Sequence, residues 1–170
     1  MKFFLIGMMG SGKSAVGKLL AKDLNLPILD IDNIIEKKEN LSIKNIFHQK
    51  GEHYFRLIEN EILRENKNPS VVSCGGGIIL EKKNRKFLKD SGYTIYLKTS
   101  ISILKNRLID KNDRPLIDNN DLQKSLEKIY NERKSLYDSA ANLSIDTDQL
   151  STNDVCKLII KKIKVEKIYS

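Results

Sequence analysis

The chain has 170 residues, of which 40% are hydrophobic, and its 30 Lys and Arg against 22 Asp and Glu give a net charge of +8. This length and apolar content predict one domain with its own core, spanning residues 1–170, and exclude a wholly disordered protein. No apolar run reaches the roughly 18 residues of a membrane span, and the N-terminal run is too short for a signal peptide. We therefore expect a cytoplasmic protein that does not contact a membrane.

The cysteines and histidines predict neither a disulfide framework nor a zinc site. Cys74 and Cys156 allow one disulfide at most, and a cytoplasmic protein favours free thiols. His48 and His53 are five residues apart, which places them on different faces of a helix, and neither cysteine has a close partner. Surface histidines and buried thiols are the expected state.

Predicted strands alternate with predicted helices from the beginning of the chain to its end. Strands are predicted at 3–6, 27–32, 70–74, 93–97 and 143–145, and helices at 14–24, 33–66 (broken near 40 and 51), 81–90, 101–109, 121–137 and 152–164. Residues 111–120 are polar and predict a loop. The alternation indicates an α/β fold, a parallel sheet covered by helices on both faces.

The turn after the first strand has a phosphate-binding pattern. Residues 7–14 read GMMGSGKS, which matches G-x-x-x-x-G-K-[ST], and they lie between a predicted strand and a predicted helix. Glycines let backbone N–H groups surround phosphate oxygens, and the helix N-terminus adds partial positive charge. Lys13 is expected to reach the β and γ phosphates, and the Ser14 hydroxyl to bind Mg²⁺. The pattern indicates a nucleoside triphosphate but not the reaction.

Two carboxylates end the second predicted strand. Asp30 and Asp32 are two residues apart, so on a strand they face the same way, near the crevice at the carboxyl end of the sheet. They could serve a metal ion and an acceptor hydroxyl. An equally good interpretation is that Asp32 caps the following helix and has no other role.

A charged motif follows in the next helical segment. Glu52, Arg56 and Glu59 occupy positions i, i+4 and i+7, which form one helical face. Spacing alone favours a solvated ladder of ion pairs. The functional alternative is an arginine held by carboxylates so that it can grip a substrate carboxylate.

Three further features favour a ligand pocket. Gly75-Gly76-Gly77 follows the third strand directly, where a backbone can approach a ligand closely. Arg133 lies on the apolar stripe of its helix, and we expect it to point into a polar cavity rather than out to water. Arg114, in the polar loop, is placed to stabilise charge on a transferring phosphoryl group, although most loop arginines have no such role.

Together these motifs resemble the shikimate kinase family. The matching segments, in the family's order, are GMMGSGKS (7–14), LDID (29–32), SIKNIFHQKGEHYFRLIE (42–59), SCGGG (73–77), RPLI (114–117), ERKSLY (132–137) and IDT (145–147). The phosphate loop is common to many NTPases. The GExxFRxxE segment, the triple glycine and the RPL loop are much more specific, and the resemblance covers almost the whole chain.

The resemblance implies a three-layer P-loop fold with a five-stranded parallel sheet of order 2-3-1-4-5. It implies transfer of a phosphoryl group from ATP to the 3-hydroxyl of shikimate, with Mg²⁺ as cofactor. It also implies a substrate-binding helical segment at about 33–66 and a lid loop at about 111–120. A monomer is expected.

The family's functional residues map onto matching positions of this chain. The implied ATP-binding residues are Gly10, Ser11, Gly12, Lys13, Ser14, Ala15, Arg107 and Arg114. The implied shikimate-binding residues are Asp32, Arg56, Glu59, Gly75, Gly76, Gly77 and Arg133. Lys13, Asp32 and Arg114 are the implied catalytic residues, with Asp32 as proton acceptor, and Ser14 and Asp30 are the implied metal site.

One segment departs from the family pattern. Family members often carry a proline before the last helix, whereas this chain has Ser151 and Thr152, either of which can cap a helix. Adenine contacts from residues 148–150 are therefore not assigned.

Two alternatives remain to be tested. A gluconate kinase on the same scaffold would also bind a polyhydroxy acid, but the triple glycine and GExxFRxxE favour shikimate. A basic nucleic-acid-binding module would place aromatic residues among its basic ones. Half of the +8 charge, a net +4, lies in residues 155–170, where the lysines alternate with aliphatic residues. A solvated helix face explains this segment better, so no nucleic-acid partner is expected.

Overall fold

The structure is a computed structural model that describes residues 1–109 and 121–168. The strands are β1 (Lys2–Ile6), β2 (Ile28–Asp30), β3 (Ser70–Ser73), β4 (Gly92–Lys98) and β5 (Leu143–Asp146). The helices are α1 (Lys13–Asp23), α2 (Ile31–Glu39), α3 (Ile43–Glu65), α4 (Lys82–Ser91), α5 (Ile101–Leu108), α6 (Leu122–Ala140) and α7 (Thr152–Val165). The predicted lid loop and Arg114 lie outside the described residues.

The strands form one parallel sheet with β1 at its centre. The order is β2-β3-β1-β4-β5, and each neighbouring pair runs parallel, which confirms the expected topology. All four residues of β3 and four of the five in β1 are buried. Continuous burial of this kind is typical of parallel strands covered on both faces.

Alternate side chains of β1 point into two separate hydrophobic cores. Phe4 and Ile6 belong to a cluster with residues of α2, α3, α4, α5 and α6. Phe3 and Leu5 belong to a second cluster with residues of α1 and α7. This division follows from the two-residue period of a strand and confirms the three-layer arrangement. Each fully buried Leu, Ile or Phe contributes roughly 1.5–3 kcal/mol of stabilisation.

The prediction that Asp30 and Asp32 share a strand was wrong. Strand β2 ends at Asp30, and Asp32 lies in the first turn of α2. The helix begins early because the Asp30 side chain accepts a hydrogen bond from the Asn33 N–H at 3.2 Å. The capping residue is therefore Asp30, and the alternative that Asp32 caps the helix was also wrong.

Other boundaries differ from prediction by a few residues at most. Helix α3 is interrupted at Gly51 (φ 81°, ψ 164°), as expected from the sequence, and its two halves form one bent element. Helix α7 begins after Ser151, whose side chain accepts a hydrogen bond from the Asp154 N–H, so a serine caps this helix as the sequence allowed. Cys74 and Cys156 are buried and free, as predicted. No described helix is both long and apolar enough to cross a membrane.

Candidate active site

The phosphate loop joins β1 to α1 and depends on glycine for its shape. Gly10 (φ 78°) and Gly12 (φ 92°) adopt left-handed conformations that other residues rarely tolerate. Helix α1 begins directly after the loop, at Lys13. Backbone N–H groups and the positive end of that helix therefore meet where phosphate oxygens would bind.

Lys13 is folded over this loop. Its Nζ donates hydrogen bonds to the carbonyl oxygens of Gly7 at 3.0 Å and Met8 at 2.8 Å, and the residue is only 9% exposed. A pocket above the loop is lined by Gly10, Gly12, Lys13, Ser14, Ala15, Asp32 and Arg107, among others. The structure thus brings most of the predicted ATP-binding residues together around one crevice.

Ser14 and Asp30 form a small cluster of oxygen atoms beside the loop. The Ser14 hydroxyl donates to Asp30 Oδ2 at 2.5 Å, and the Ser73 hydroxyl oxygen lies 3.4 Å from the Ser14 hydroxyl oxygen. Hydroxyl and carboxylate oxygens are the ligand types that Mg²⁺ prefers, so these residues fit the expected metal ion.

A second pocket lies next to the first, and Asp32 lines both. The second pocket, here called the acceptor pocket, is lined by Met9, Asp32, Ile43, Phe47, Phe55, Arg56, Glu59, Gly75, Gly76, Gly77 and Arg133. Every residue predicted to bind shikimate is on its wall. Asp32 therefore lies between the pocket above the phosphate loop, which would hold a phosphoryl donor, and the acceptor pocket.

The acidic and basic residues of α3 are not a solvated ladder, which corrects the interpretation favoured by spacing. Arg56 NH1 donates to Glu59 Oε2 at 2.7 Å, and Arg56 NH2 donates to Glu52 Oε1 at 3.0 Å. The Glu59 side chain is fully buried and that of Arg56 is 13% exposed, whereas Glu52 is exposed. The two carboxylates hold the guanidinium at the edge of the acceptor pocket.

Burial changes the chemistry of Glu59. Loss of solvation raises the pKa of its carboxyl group to about 7, although the charge of Arg56 acts in the opposite direction. Its Oε1 has no hydrogen-bond partner among the described residues. This carboxyl group therefore titrates near neutral pH inside the acceptor pocket.

The triple glycine forms a tight wall of the acceptor pocket. Gly75 and Gly77 accept hydrogen bonds at their carbonyls from the N–H groups of Ile78 and Leu80, at 3.2 and 3.0 Å. A Cβ on Gly75 would collide with Glu59 Oε1, and a Cβ on Gly77 would collide with the Arg56 guanidinium. Glycine is required here because the backbone lies directly against the charged side chains of α3.

Arg133 faces this wall from α6, as the sequence predicted. The residue is 5% exposed, and its NH1 donates to the Gly76 carbonyl at 3.2 Å. Its Nε has no hydrogen-bond partner among the described residues. Arg56 and Arg133 thus present two guanidinium groups to one pocket.

Arg107 and the loop after β5 flank the phosphate loop on the other side. Arg107 NH1 donates to the Gly10 carbonyl at 3.0 Å. Ser11, Gly12, Arg107, Thr147 and Leu150 help to line a third pocket here. Leu150 comes from residues 148–150, for which the sequence supported no assignment, and Thr147 comes from the matching IDT segment. The position of this pocket next to the phosphate loop is the one observation that favours it as the site of the nucleotide's base.

Sequence reasoning missed the apolar residues of the acceptor pocket. Phe47 and Phe55 pack with their ring centroids 4.8 Å apart, and the Arg56 guanidinium lies 5.1 Å from the Phe55 centroid. Tyr137, whose hydroxyl donates to the Gly76 carbonyl at 2.5 Å, was also missed. The spacing of Phe47 and Tyr54–Phe55 indicates only a buried helix face. Phe55 and Tyr137 also lie in the matching GExxFRxxE and ERKSLY segments, but no role was assigned to them there.

Known proteins similar to this chain share its architecture and length. A curated shikimate kinase from Sulfurihydrogenibium sp. (strain YO3AOP1) is 41% identical over 166 residues, which cover 95% of this chain and 96% of that protein. The structure of shikimate kinase from Acinetobacter baumannii in complex with shikimate superposes with a TM-score of 0.94 at 34% identity, covering 99% of this chain and 95% of that one. Shikimate kinase from Aquifex aeolicus gives a TM-score of 0.81 at 33% identity, with full coverage of both chains.

A kinase with the alternative acceptor, gluconate, is less similar to this chain. A gluconokinase from Sinorhizobium meliloti has a TM-score of 0.58 at 18% identity, covering 99% of this chain and 95% of that one, which shows a shared fold alone. The family model described as shikimate kinase matches residues 9–164. This chain therefore belongs to the shikimate kinase family.

Proposed function

We propose that this protein transfers the γ-phosphoryl group of ATP to the 3-hydroxyl of shikimate. The observation that carries the proposal is the junction at Asp32, where the pocket above the phosphate loop meets a pocket with two buried guanidinium groups. The basic side chains of the two pockets complement the negative charges of a phosphate donor on one side and of a carboxylated polyol on the other.

Arg56 and Arg133 bind the carboxylate of shikimate in this proposal. Guanidinium groups bind carboxylates in bidentate geometry, and partial burial strengthens such pairs because less water competes. Glu59 supports Arg56, and the backbone of Gly75, Gly76 and Gly77 meets the substrate. The rings of Phe47 and Phe55 supply an apolar surface for the carbon ring of the acceptor.

The phosphate loop binds the triphosphate of ATP. The backbone of Gly10, Ser11 and Gly12, with Ala15 at the start of α1, surrounds the phosphates, and Arg107 lies towards the base. Lys13 now donates to two loop carbonyls, and it exchanges them for β and γ phosphate oxygens when the nucleotide binds. We assign Arg114, which lies outside the described residues, to the lid over the γ phosphate.

Ser14 and Asp30 would hold Mg²⁺, because they already place a hydroxyl and a carboxylate oxygen together. When bound, the ion supplies neutralisation of charge on the phosphate oxygens.

In the chemical step, the 3-oxygen of shikimate forms a bond to the γ phosphorus while the bond to the β–γ bridging oxygen breaks, and ADP leaves. Asp32 accepts the proton of the 3-hydroxyl. Because phosphoryl transfer has a loose transition state, positioning and charge stabilisation matter more than a strong base. We therefore assign Lys13 and Arg114 larger effects on turnover than the basicity of Asp32.

We further propose that the chain is one domain and acts as a cytoplasmic monomer. The large hydrophobic residues exposed among the described positions come from six separate parts of the chain: Met1, Ile28, Leu57, Leu80, Ile109 and Val165. Isolated residues of this kind do not form the continuous apolar patch that a stable interface needs.

The test is a side-by-side assay with ATP, Mg²⁺ and either shikimate or gluconate, with formation of ADP as the readout. We expect turnover with shikimate and none above background with gluconate. Lys13→Met is the control, and it should abolish turnover while the far-ultraviolet circular dichroism spectrum is unchanged. Turnover of gluconate and not of shikimate would refute the proposal.

A further inference from the structure

Tyr137 lies where the acceptor pocket meets the phosphate loop. It is fully buried on α6, one turn after Arg133, so the two side chains share a helix face. Its ring stacks on Tyr96, with centroids 4.9 Å apart and an interplanar angle of 22°. The stacking and the burial leave the ring one orientation, which directs the hydroxyl at Gly76.

The Gly76 carbonyl accepts two hydrogen bonds from α6. The Tyr137 hydroxyl donates at 2.5 Å, and Arg133 NH1 donates at 3.2 Å. Burial raises the pKa of Tyr137 to about 12, so the hydroxyl keeps its proton at neutral pH.

Two donors on one carbonyl also orient the next amide. The peptide between Gly76 and Gly77 is trans, because the described chain has no cis peptide bond. In a planar trans peptide the C=O and the following N–H point in opposite directions. A grip on the Gly76 carbonyl therefore sets the direction of the Gly77 N–H, and both glycines line the acceptor pocket.

The same hydroxyl lies close to the phosphate loop. The Met8 sulfur is 3.9 Å from the Tyr137 oxygen. A Cβ placed on Gly76 would lie 3.4 Å from the Met9 nitrogen and 3.5 Å from the Gly7 carbonyl oxygen, so this glycine is packed against the loop. Movement of Gly76 would change the distance between the two halves of the site.

We propose that Tyr137 is a positioning residue for the acceptor: its hydroxyl holds the Gly76 carbonyl and so orients the Gly76–Gly77 peptide against the acceptor. The inference rests on the proposed function, because it takes shikimate as the acceptor. Tyr137 itself does not touch the reacting atoms.

The test is Tyr137→Phe, which removes only the hydroxyl, with Tyr96→Phe as the matched control in the same stacked pair. We expect the KM for shikimate to rise about three- to tenfold, the scale of one lost hydrogen bond. The KM for ATP should stay within twofold of wild type, and kcat should change less than the shikimate KM. Tyr96→Phe should leave all three constants within twofold.

Three kinetic results would overturn the inference. These are an unchanged KM for shikimate, equal increases in both KM values, and the same kinetic change in Tyr96→Phe. A Tyr137→Phe protein that does not fold would also overturn it, because the hydroxyl would then serve folding rather than positioning.

An NMR measurement separates this inference from the activity itself. In ¹⁵N-labelled protein without substrates, the Gly77 amide resonance should shift in Tyr137→Phe and not in Tyr96→Phe. If wild type does not phosphorylate shikimate, the proposed function fails, while the amide shift still reports on the role of Tyr137. An unshifted Gly77 amide would refute that role.

Discussion

Arg133 is a buried cation that donates a hydrogen bond to the backbone carbonyl of Gly76. A guanidinium removed from water needs compensating partners, and the carboxylate of the acceptor supplies one when it binds. At the scale of single residues, the acceptor pocket is thus partly unsatisfied before its ligand arrives. Glu59 shows the same condition with the opposite charge, because one of its buried oxygens has no hydrogen-bond partner among the described residues.

Arg133→Ala should weaken shikimate binding about tenfold to a hundredfold, the range expected for a charge-assisted hydrogen bond. The KM for ATP should change little. The adjacent and exposed Lys134 is the matched control, and Lys134→Ala should behave as wild type. Steady-state kinetics with each substrate varied gives the answer, and an unchanged shikimate KM in Arg133→Ala would contradict the assigned role.

Glu59 should make the folded protein less stable as the pH rises towards 7. Its pKa is about 7 in the folded protein, above the ordinary carboxyl value of 4.5. Between these values the unfolded chain releases its proton first, so the free energy of unfolding falls with pH and then levels off above about 7. Glu59→Gln lacks this titration.

The measurement is urea unfolding of wild type and Glu59→Gln at several pH values from 5 to 8. The stability of Glu59→Gln relative to wild type should increase across this range, whatever constant difference the lost ion pair with Arg56 introduces. Parallel curves for the two proteins would mean that Glu59 does not titrate there.

At the scale of elements, the sequence predicted the alternation of strands and helices but not where each element ends at the site. The apolar residues Ile28, Leu29 and Ile31 continue the pattern of a strand, and only the capping hydrogen bond of Asp30 shows that α2 has already begun. That bond depends on backbone geometry at the sheet edge. The residue types and their order were therefore enough to select Asp32, but not to place it on a helix.

The larger error was the prediction that the charged residues of α3 are exposed to solvent. Spacing shows that Glu52, Arg56 and Glu59 share a face, but it does not show what covers that face. The covering element is the Gly75–Gly77 turn, which comes from a distant part of the chain. The resemblance to a known family named residues that the structure brings around one pocket. The physical reason for their burial could be seen only in the fold.

Gly77→Ala should disturb the contact between the glycine turn and α3. The added methyl group would overlap the Arg56 guanidinium, so the side chain or the turn must move. Overpacking of this kind costs about 1–3 kcal/mol. We expect a lower melting temperature and a higher KM for shikimate.

Gly76→Ala is the comparison within the same turn, because the nearest atom to its Cβ would be at an ordinary 3.4 Å. Differential scanning calorimetry should show a larger loss of stability for Gly77→Ala than for Gly76→Ala. The opposite order would contradict the close packing of Gly77 against Arg56.

At the scale of the whole molecule, the +8 charge has two separate origins. Lys13, Arg56, Arg107 and Arg133 line the ligand pockets. The α7 helix instead carries exposed lysines on the face opposite its buried stripe of Val155, Ile159 and Ile163. The two groups differ in burial and in partners, so only the first is expected to affect catalysis.

Replacing Lys161, Lys162 and Lys164 together by Gln should leave kcat and both KM values within twofold of wild type. Exposed charges are screened over about 8 Å at physiological ionic strength. The single substitution Arg107→Gln is the control, because it removes less charge but acts beside the phosphate loop, and it should raise the KM for ATP. A larger kinetic effect from the triple variant would mean that the α7 lysines take part in substrate binding.

The central claim is the transfer of a phosphoryl group to one particular hydroxyl of shikimate. Correlation of ³¹P with ¹H by NMR, in a mixture of wild-type protein, ATP, Mg²⁺ and shikimate, identifies the carbon that carries the new phosphate. We expect the product phosphorus to couple to the proton on carbon 3 of shikimate. Coupling to another ring proton, or no phosphorylated product at all, would contradict it.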